Sequence, residues 1–77
     1  MTQSEWKDIF GDNLVSILRD KGMTQLQLSR CSGVSTAMIS DYINKRSMPG
    51  LPAIINIAYA LEMSIDELVD FDEPIDY

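Results

Sequence analysis

Residues 24–44 (T-Q-L-Q-L-S-R-C-S-G-V-S-T-A-M-I-S-D-Y-I-N) carry two helix starts with one stop between them, a spacing that leaves little choice of local fold. Thr24 stands where an N-cap belongs, and Gln27 three residues on completes a capping box. Gly33 can adopt positive φ, the usual way for a helix to stop. Ser35 caps a new helix at once, with Val34 and Ile39 placed as a hydrophobic staple across it. Two short helices set at a steep angle by such a turn form a helix-turn-helix, which can place its second helix in the major groove of DNA.

The rest of the chain supplies three more helices. The first is expected from about residue 3 to 21, opened by Thr2 and Glu5 at box spacing and closed by Gly22. Phe10, Leu14, Ile17 and Leu18 follow the spacing of one buried helical stripe. A fourth helix starts at Gly50–Leu51, with Pro52 tolerated in its first turn, and Ile54, Ile57, Ala58 and Leu61 form its core face. Ser64 and Glu67 make a further capping box, stapled by Met63 and Leu68, for a short helix ending near Val69. The last residues, F-D-E-P-I-D-Y, are acidic, contain proline and are expected to fray. No segment shows strand alternation with hairpin signals. The reading is a compact all-α domain of five helices, with residues 1–9 extending helix 1, 10–71 forming the domain and 72–77 an acidic tail.

Composition narrows the class. Seventy-seven residues suit one domain; a chain this short buries only about 60% of its unfolded surface, so capping matters. No apolar run approaches the ~20 residues of a membrane span, and the opening M-T-Q-S-E-W is no signal peptide. One cysteine and no histidine leave neither a disulfide framework nor a zinc-ligand set, and no nucleophile–base pair for catalysis. A cytoplasmic, metal-free, cofactor-free, non-enzymatic protein is expected. Net charge −6 argues against nucleic acid at first sight. Yet residues 19–50 hold Arg19, Lys21, Arg30, Lys45 and Arg46 against Asp20 and Asp41, whereas all seven ionisable side chains after residue 50, tyrosine aside, are acidic. With a Debye length of about 8 Å, a distant acidic tail is largely screened from a contact surface.

Projected at 100° per residue, the third helix turns Ile39 and Ile43 to the core, with Met38 and Tyr42 flanking. Ala37, Ser40, Asp41 and Asn44 fall opposite, with Thr36 at the rim. Small polar side chains can approach a groove floor: Ser and Thr bond several base edges, Ala and the Thr methyl meet a thymine methyl, and Asp accepts from cytosine N4. A solvated face on an ordinary amphipathic helix has the same pattern. Gln25, in the first turn of helix two, can hold a phosphate. Lys45 and Arg46 directly follow helix three, placed to grip DNA backbone or simply to complement the helix dipole.

These residues resemble the lambda repressor-like, Cro/C1-type (XRE) helix-turn-helix family. The stretch matches its pattern T-Q-x-x-L-[small]-x-x-[small]-G-V-S-x-x-x-I-S, and L-P-A-I-I-N-I-A-Y-A-L-E-M-S-I-D-E-L is similar to its closing two helices. The resemblance covers about residues 10–71. It implies phosphate contacts from Gln25 and Ser35, base contacts from Thr36, Ala37, Ser40 and Asp41, and a backbone-gripping loop of Asn44, Lys45 and Arg46. Three positions depart: the family commonly has Glu where this chain has Ile43, and Gly where it has Lys45 and Glu62. Positive φ costs a non-glycine residue about 1 kcal/mol, so Asn44 or a reshaped loop is expected to take the left-handed position. Asp41 is repelled by phosphates unless it meets a base donor.

Trp6 and Tyr59 are expected in or beside the core, Cys31 as a half-buried side chain, and Leu26 as exposed or covered by the segment around Trp6. Phe71, Ile75 and Tyr77 either supply a dimer interface with the fifth helix or pack on their own domain. The function expected is a double-stranded-DNA-binding transcriptional repressor, acting as a homodimer on a near-palindromic operator, of phage or prophage type, with no room for a small-molecule effector domain. Its rival is a protein-interaction module on the same fold, antitoxin-like or an anti-repressor partner, which the acidic tail and Asp41 favour.

Overall fold

The computed structural model describes residues 2–69. Five helices follow one another, α1 (Gln3–Lys21), α2 (Gln25–Ser32), α3 (Thr36–Ile43), α4 (Leu51–Ala60) and α5 (Ile65–Leu68), with no strand among the described residues. Local capping explains most boundaries. Thr24 Oγ1 accepts the Gln27 N–H at 3.1 Å while Gln27 Oε1 accepts the Thr24 N–H at 2.8 Å. Ser64 and Glu67 form the same reciprocal pair at α5. Thr2 opens α1 by accepting from the Glu5 N–H, and Ser35 opens α3 by accepting from the Met38 N–H. Each such cap is worth about 1 kcal/mol. α4 begins at Gly50 without a side-chain cap, and Pro52 in its first turn needs no amide partner.

Three helices end in one hydrogen-bonded device. At each, an amide reaches back five residues and the preceding amide closes a shorter loop of three, the Schellman arrangement. The pairs are Met23→Leu18 with Gly22→Arg19, Arg46→Asp41 with Lys45→Tyr42, and Met63→Ala58 with Glu62→Tyr59. The arrangement requires a left-handed residue in the middle, and those residues are Gly22 (φ 64°), Lys45 (φ 63°) and Glu62 (φ 55°). This corrects the expectation for the third helix. Asn44 keeps φ −87°, and Lys45 itself takes the strained position, the one at which the resembled pattern commonly has glycine.

One core unites the helices. Phe10, Leu14 and Leu18 of α1 meet Leu28, Ile39, Tyr42, Ile54, Ile57, Ala58, Leu61 and Leu68, all buried; each large side chain among them stabilises by about 1.5–3 kcal/mol. α1 packs against α3 and α5, and α2 against α3 and α4. Trp6 stacks on Phe10 with centroids 5.5 Å apart, and Phe10 meets Tyr42 edge-on at 6.1 Å, so an aromatic chain ties α1 to α3. Gly11 marks their closest approach: a Cβ there would lie 2.7 Å from the Tyr42 carbonyl oxygen.

Some placements differ from expectation. Tyr59 is 84% exposed, because Ile54, Ile57, Ala58 and Leu61 already fill the inner side of α4. Cys31 is exposed rather than half-buried: α2 sinks only Leu28, and Cys31 opens onto a groove shared with Lys21 and Arg30. Leu26 takes the first of the two placements expected for it, exposed, since Trp6 is engaged with Phe10. Ile17 is only partly buried at the edge of its stripe. The expectations for Phe71, Ile75 and Tyr77 lie outside the described residues.

Candidate nucleic-acid interface

The second helix of the motif is anchored from beneath. Ile39 is fully buried and Tyr42 nearly so, while Ile43 is half-buried at the edge. Burial of Tyr42, helped by the charge of Asp41, raises its phenol above the ordinary tyrosine pKa, so it stays neutral as a core group. With those side chains inward, Thr36 and Ala37 stand exposed near the start of α3, and Ser40 and Asp41 lie half-buried one turn later. Met38 is 39% exposed and borders that polar strip.

The predicted contact residues sort into pairs. Arg46 Nε donates to Asp41 Oδ1 at 3.0 Å, joining a predicted phosphate-binding cation to a predicted base-reading carboxylate. The pair is solvent-exposed and contributes ~0–1 kcal/mol to stability, but it partly neutralises Asp41 and fixes the direction of Arg46. Asn44 Nδ2 donates to the Ser40 carbonyl at 2.8 Å and to Ser40 Oγ at 3.2 Å. The Ser40 hydroxyl, accepting from Asn44, keeps its own proton to donate outward. Asn44 thus holds Ser40 in place, with its amide nitrogen already engaged. Lys45 Nζ lies 2.9 Å from Asp12 Oδ1 of α1. That hydrogen bond, with the Asp12 charge, raises the Lys45 ammonium above its usual pKa.

Gln25 and Ser35 stand at the first turns of α2 and α3. Gln25 is exposed beside a groove of about 250 Å³ that it shares with Leu18, Met23 and Ile43. Ser35 Oγ accepts the Met38 N–H, which leaves its hydroxyl proton for an outside acceptor. Sequence reasoning missed two contributors. Gly11 lets α1 approach the end of α3, and a glycine inside a helical pattern was the signal for such a contact. Asp12, the partner of Lys45, carried no signal, being far from it in sequence.

The arrangement is a short helix with a small polar outer face, flanked by helix starts on one side and a basic loop on the other. That is the geometry by which such a helix reads base edges while its neighbours hold phosphates. The family model of the Cro/C1-type HTH DNA-binding domain matches residues 13–74. Among solved structures, the restriction-modification controller protein C.AhdI from Aeromonas hydrophila is similar, with a TM-score of 0.77 at 26% identity. The similarity covers 80% of this chain and 94% of that one. No curated protein matches.

Proposed function

Because the chain belongs to the Cro/C1-type helix-turn-helix DNA-binding family, we propose that it is a sequence-specific transcriptional regulator, a repressor that binds a near-palindromic operator as a homodimer. The observation that carries this reading is the outward strip of Thr36, Ala37, Ser40 and Asp41 on a helix pinned by Ile39 and Tyr42. In it, α3 enters the major groove. Ser40 donates to a base acceptor, Asp41 accepts from cytosine N4, and Thr36 and Ala37 offer methyl contact to thymine. Gln25, Ser35, Lys45 and Arg46 hold phosphates on either side, with Asn44 supporting Ser40 from within the loop. The likeness to a restriction-modification controller protein supports a regulatory role, and the family is non-enzymatic.

Homodimerisation fits the surface of α4. Leu51, Ile55 and Tyr59 recur every fourth residue and remain 63%, 46% and 84% exposed. No residue of α4 is charged, in a chain of net charge −6. Two copies would repel one another over most of their acidic surface, whereas this neutral apolar stripe can meet its own copy about a two-fold axis. The same stripe is what favours the rival reading, an interaction module that binds another protein.

A salt series on random duplex DNA separates the two. The regulator binds without sequence preference at about 50 mM salt, and its log affinity falls linearly with log salt. With Lys45 and Arg46 each neutralising a phosphate, the slope is about −2 per protomer. Absence of binding at that salt would leave only the interaction module. Selection of bound sites from a random library then yields the operator.

A further inference from the structure

The start of α1 and the loop after α3 meet across an open groove of about 490 Å³, lined by Thr2, Ser4, Lys7, Arg46, Ser47 and Met48. Its composition runs against that of the whole molecule. The chain carries net charge −6, yet two cations converge here and no carboxylate lines the groove. Two nearby acids touch its rim, Glu5 accepting from the Thr2 hydroxyl and Asp41 from Arg46 through Nε alone, while Asp8 faces the Lys45 charge, and none of them pairs with Lys7. The terminal nitrogens of Arg46 are therefore left for another partner. Lys7 is half-buried and forms no ion pair among the described residues.

With Arg46 held by Asp41 through Nε alone, the groove keeps an unpaired Lys7 ammonium and the open end of a guanidinium, both of which an anion lying between them would satisfy. A guanidinium fork, an ammonium point charge and serine hydroxyls are the donor set that matches a phosphate. We propose that this groove binds a backbone phosphate of the DNA, with Lys7 as a contact residue that extends the interface from the helix-turn-helix onto the first helix. Arg46 makes the connection: it follows α3 directly and belongs both to the loop that grips the backbone and to the groove. A strand passing Arg46 on its way out of the major groove runs next into Ser47, Ser4 and Lys7. The inference rests on the DNA-binding reading and adds one phosphate per protomer to it.

The test compares the wild-type chain with Lys7→Gln, Lys7→Arg and Arg46→Ala on random duplex DNA over a salt series. Lys7→Gln is expected to weaken binding to all sequences alike, by about threefold at moderate salt, and to flatten the salt slope by about 0.9 per protomer. Lys7→Arg restores both. A far-UV spectrum and melting curve matching wild type show that Lys7→Gln has left the fold intact, and inorganic phosphate serves as the free-anion probe. A wild-type slope in Lys7→Gln, alongside a flattened slope in Arg46→Ala, overturns this inference and leaves the DNA-binding reading standing. Inorganic phosphate shifting the Lys7 and Ser47 amide resonances, with no change of slope in Lys7→Gln, marks an anion groove off the DNA path and also overturns it. A wild-type chain that binds no duplex at all overturns both readings.

Discussion

Glutamate and lysine have no steric licence for left-handed backbone, yet Glu62 and Lys45 both adopt it at helix ends. At Glu62 the conformation closes α4 through the Met63→Ala58 and Glu62→Tyr59 bonds, so the helix end requires it whatever the side chain. The strain is about 1–2 kcal/mol, and glycine would relieve it while adding about 0.4–1 kcal/mol of unfolded-state entropy. Glu62→Gly is therefore expected to stabilise the fold by about 0.5–1 kcal/mol and to raise the melting midpoint by about 4 °C. A lowered midpoint in circular dichroism melts would show that the carboxylate stabilises more than its backbone costs. Gly11 presents the opposite case. Alanine there gains about 1 kcal/mol of helix propensity, but its Cβ would sit 2.7 Å from the Tyr42 carbonyl, a backbone atom that cannot rotate away. Gly11→Ala is expected to lose about 1–2 kcal/mol net, read as a lower denaturant midpoint at unchanged slope. The departures from glycine at 45 and 62 were visible in the sequence. Which residue of Asn44 and Lys45 would bear the left-handed turn was not, because both could cap the helix locally. The choice follows from the pair of bonds closing α3 onto Asp41 and Tyr42.

Four of the five helix starts were legible because capping is a contact between residues three apart, which Thr2, Thr24, Ser35 and Ser64 all make, and α4 was legible from Pro52 in its first turn. The face of α3 was legible for a similar reason, since period 3.6 alone puts Ile39 inward and Ala37 outward. What the periodicity could not supply is how the outward residues are braced. Arg46 turns back onto Asp41, Asn44 onto Ser40, and Lys45 crosses to Asp12 on α1. Under the proposed function, these contacts divide the element into a reading part and a holding part. Ser40→Ala removes the donor proposed to meet a base edge, so it is expected to reorder which sites are preferred while leaving the salt slope unchanged. Arg46→Ala removes a proposed phosphate contact and frees the Asp41 carboxylate, so it should weaken every sequence alike and flatten the slope by about 0.9 per protomer. Competition binding over a panel of selected and random duplexes distinguishes the two patterns. Uniform weakening by Ser40→Ala would reassign Ser40 from reading to holding.

At the scale of the whole molecule, charge sets opposite demands on its two proposed associations. Tyr59 is 84% exposed on a helix without charges, so its replacement leaves the monomer core untouched. Tyr59→Asp would set a carboxylate against its own copy across a two-fold interface. It is expected to weaken the dimer at least tenfold, about 1.4 kcal/mol, while the melting curve of the monomer stays as in wild type. Sedimentation equilibrium measures this directly, and an unchanged association constant would remove the stripe from the interface. Salt adds an independent reading. Two protomers of net charge −6 repel one another, so added salt should tighten the wild-type dimer as screening shortens the reach of that repulsion. The same salt loosens the DNA complex, because each phosphate contact releases counterions that salt returns. A protein that used one surface for both partners would show a single trend. Opposite trends, with Tyr59→Asp altering the first and Arg46→Ala the second, would place self-association and DNA binding on separate faces of the same small domain.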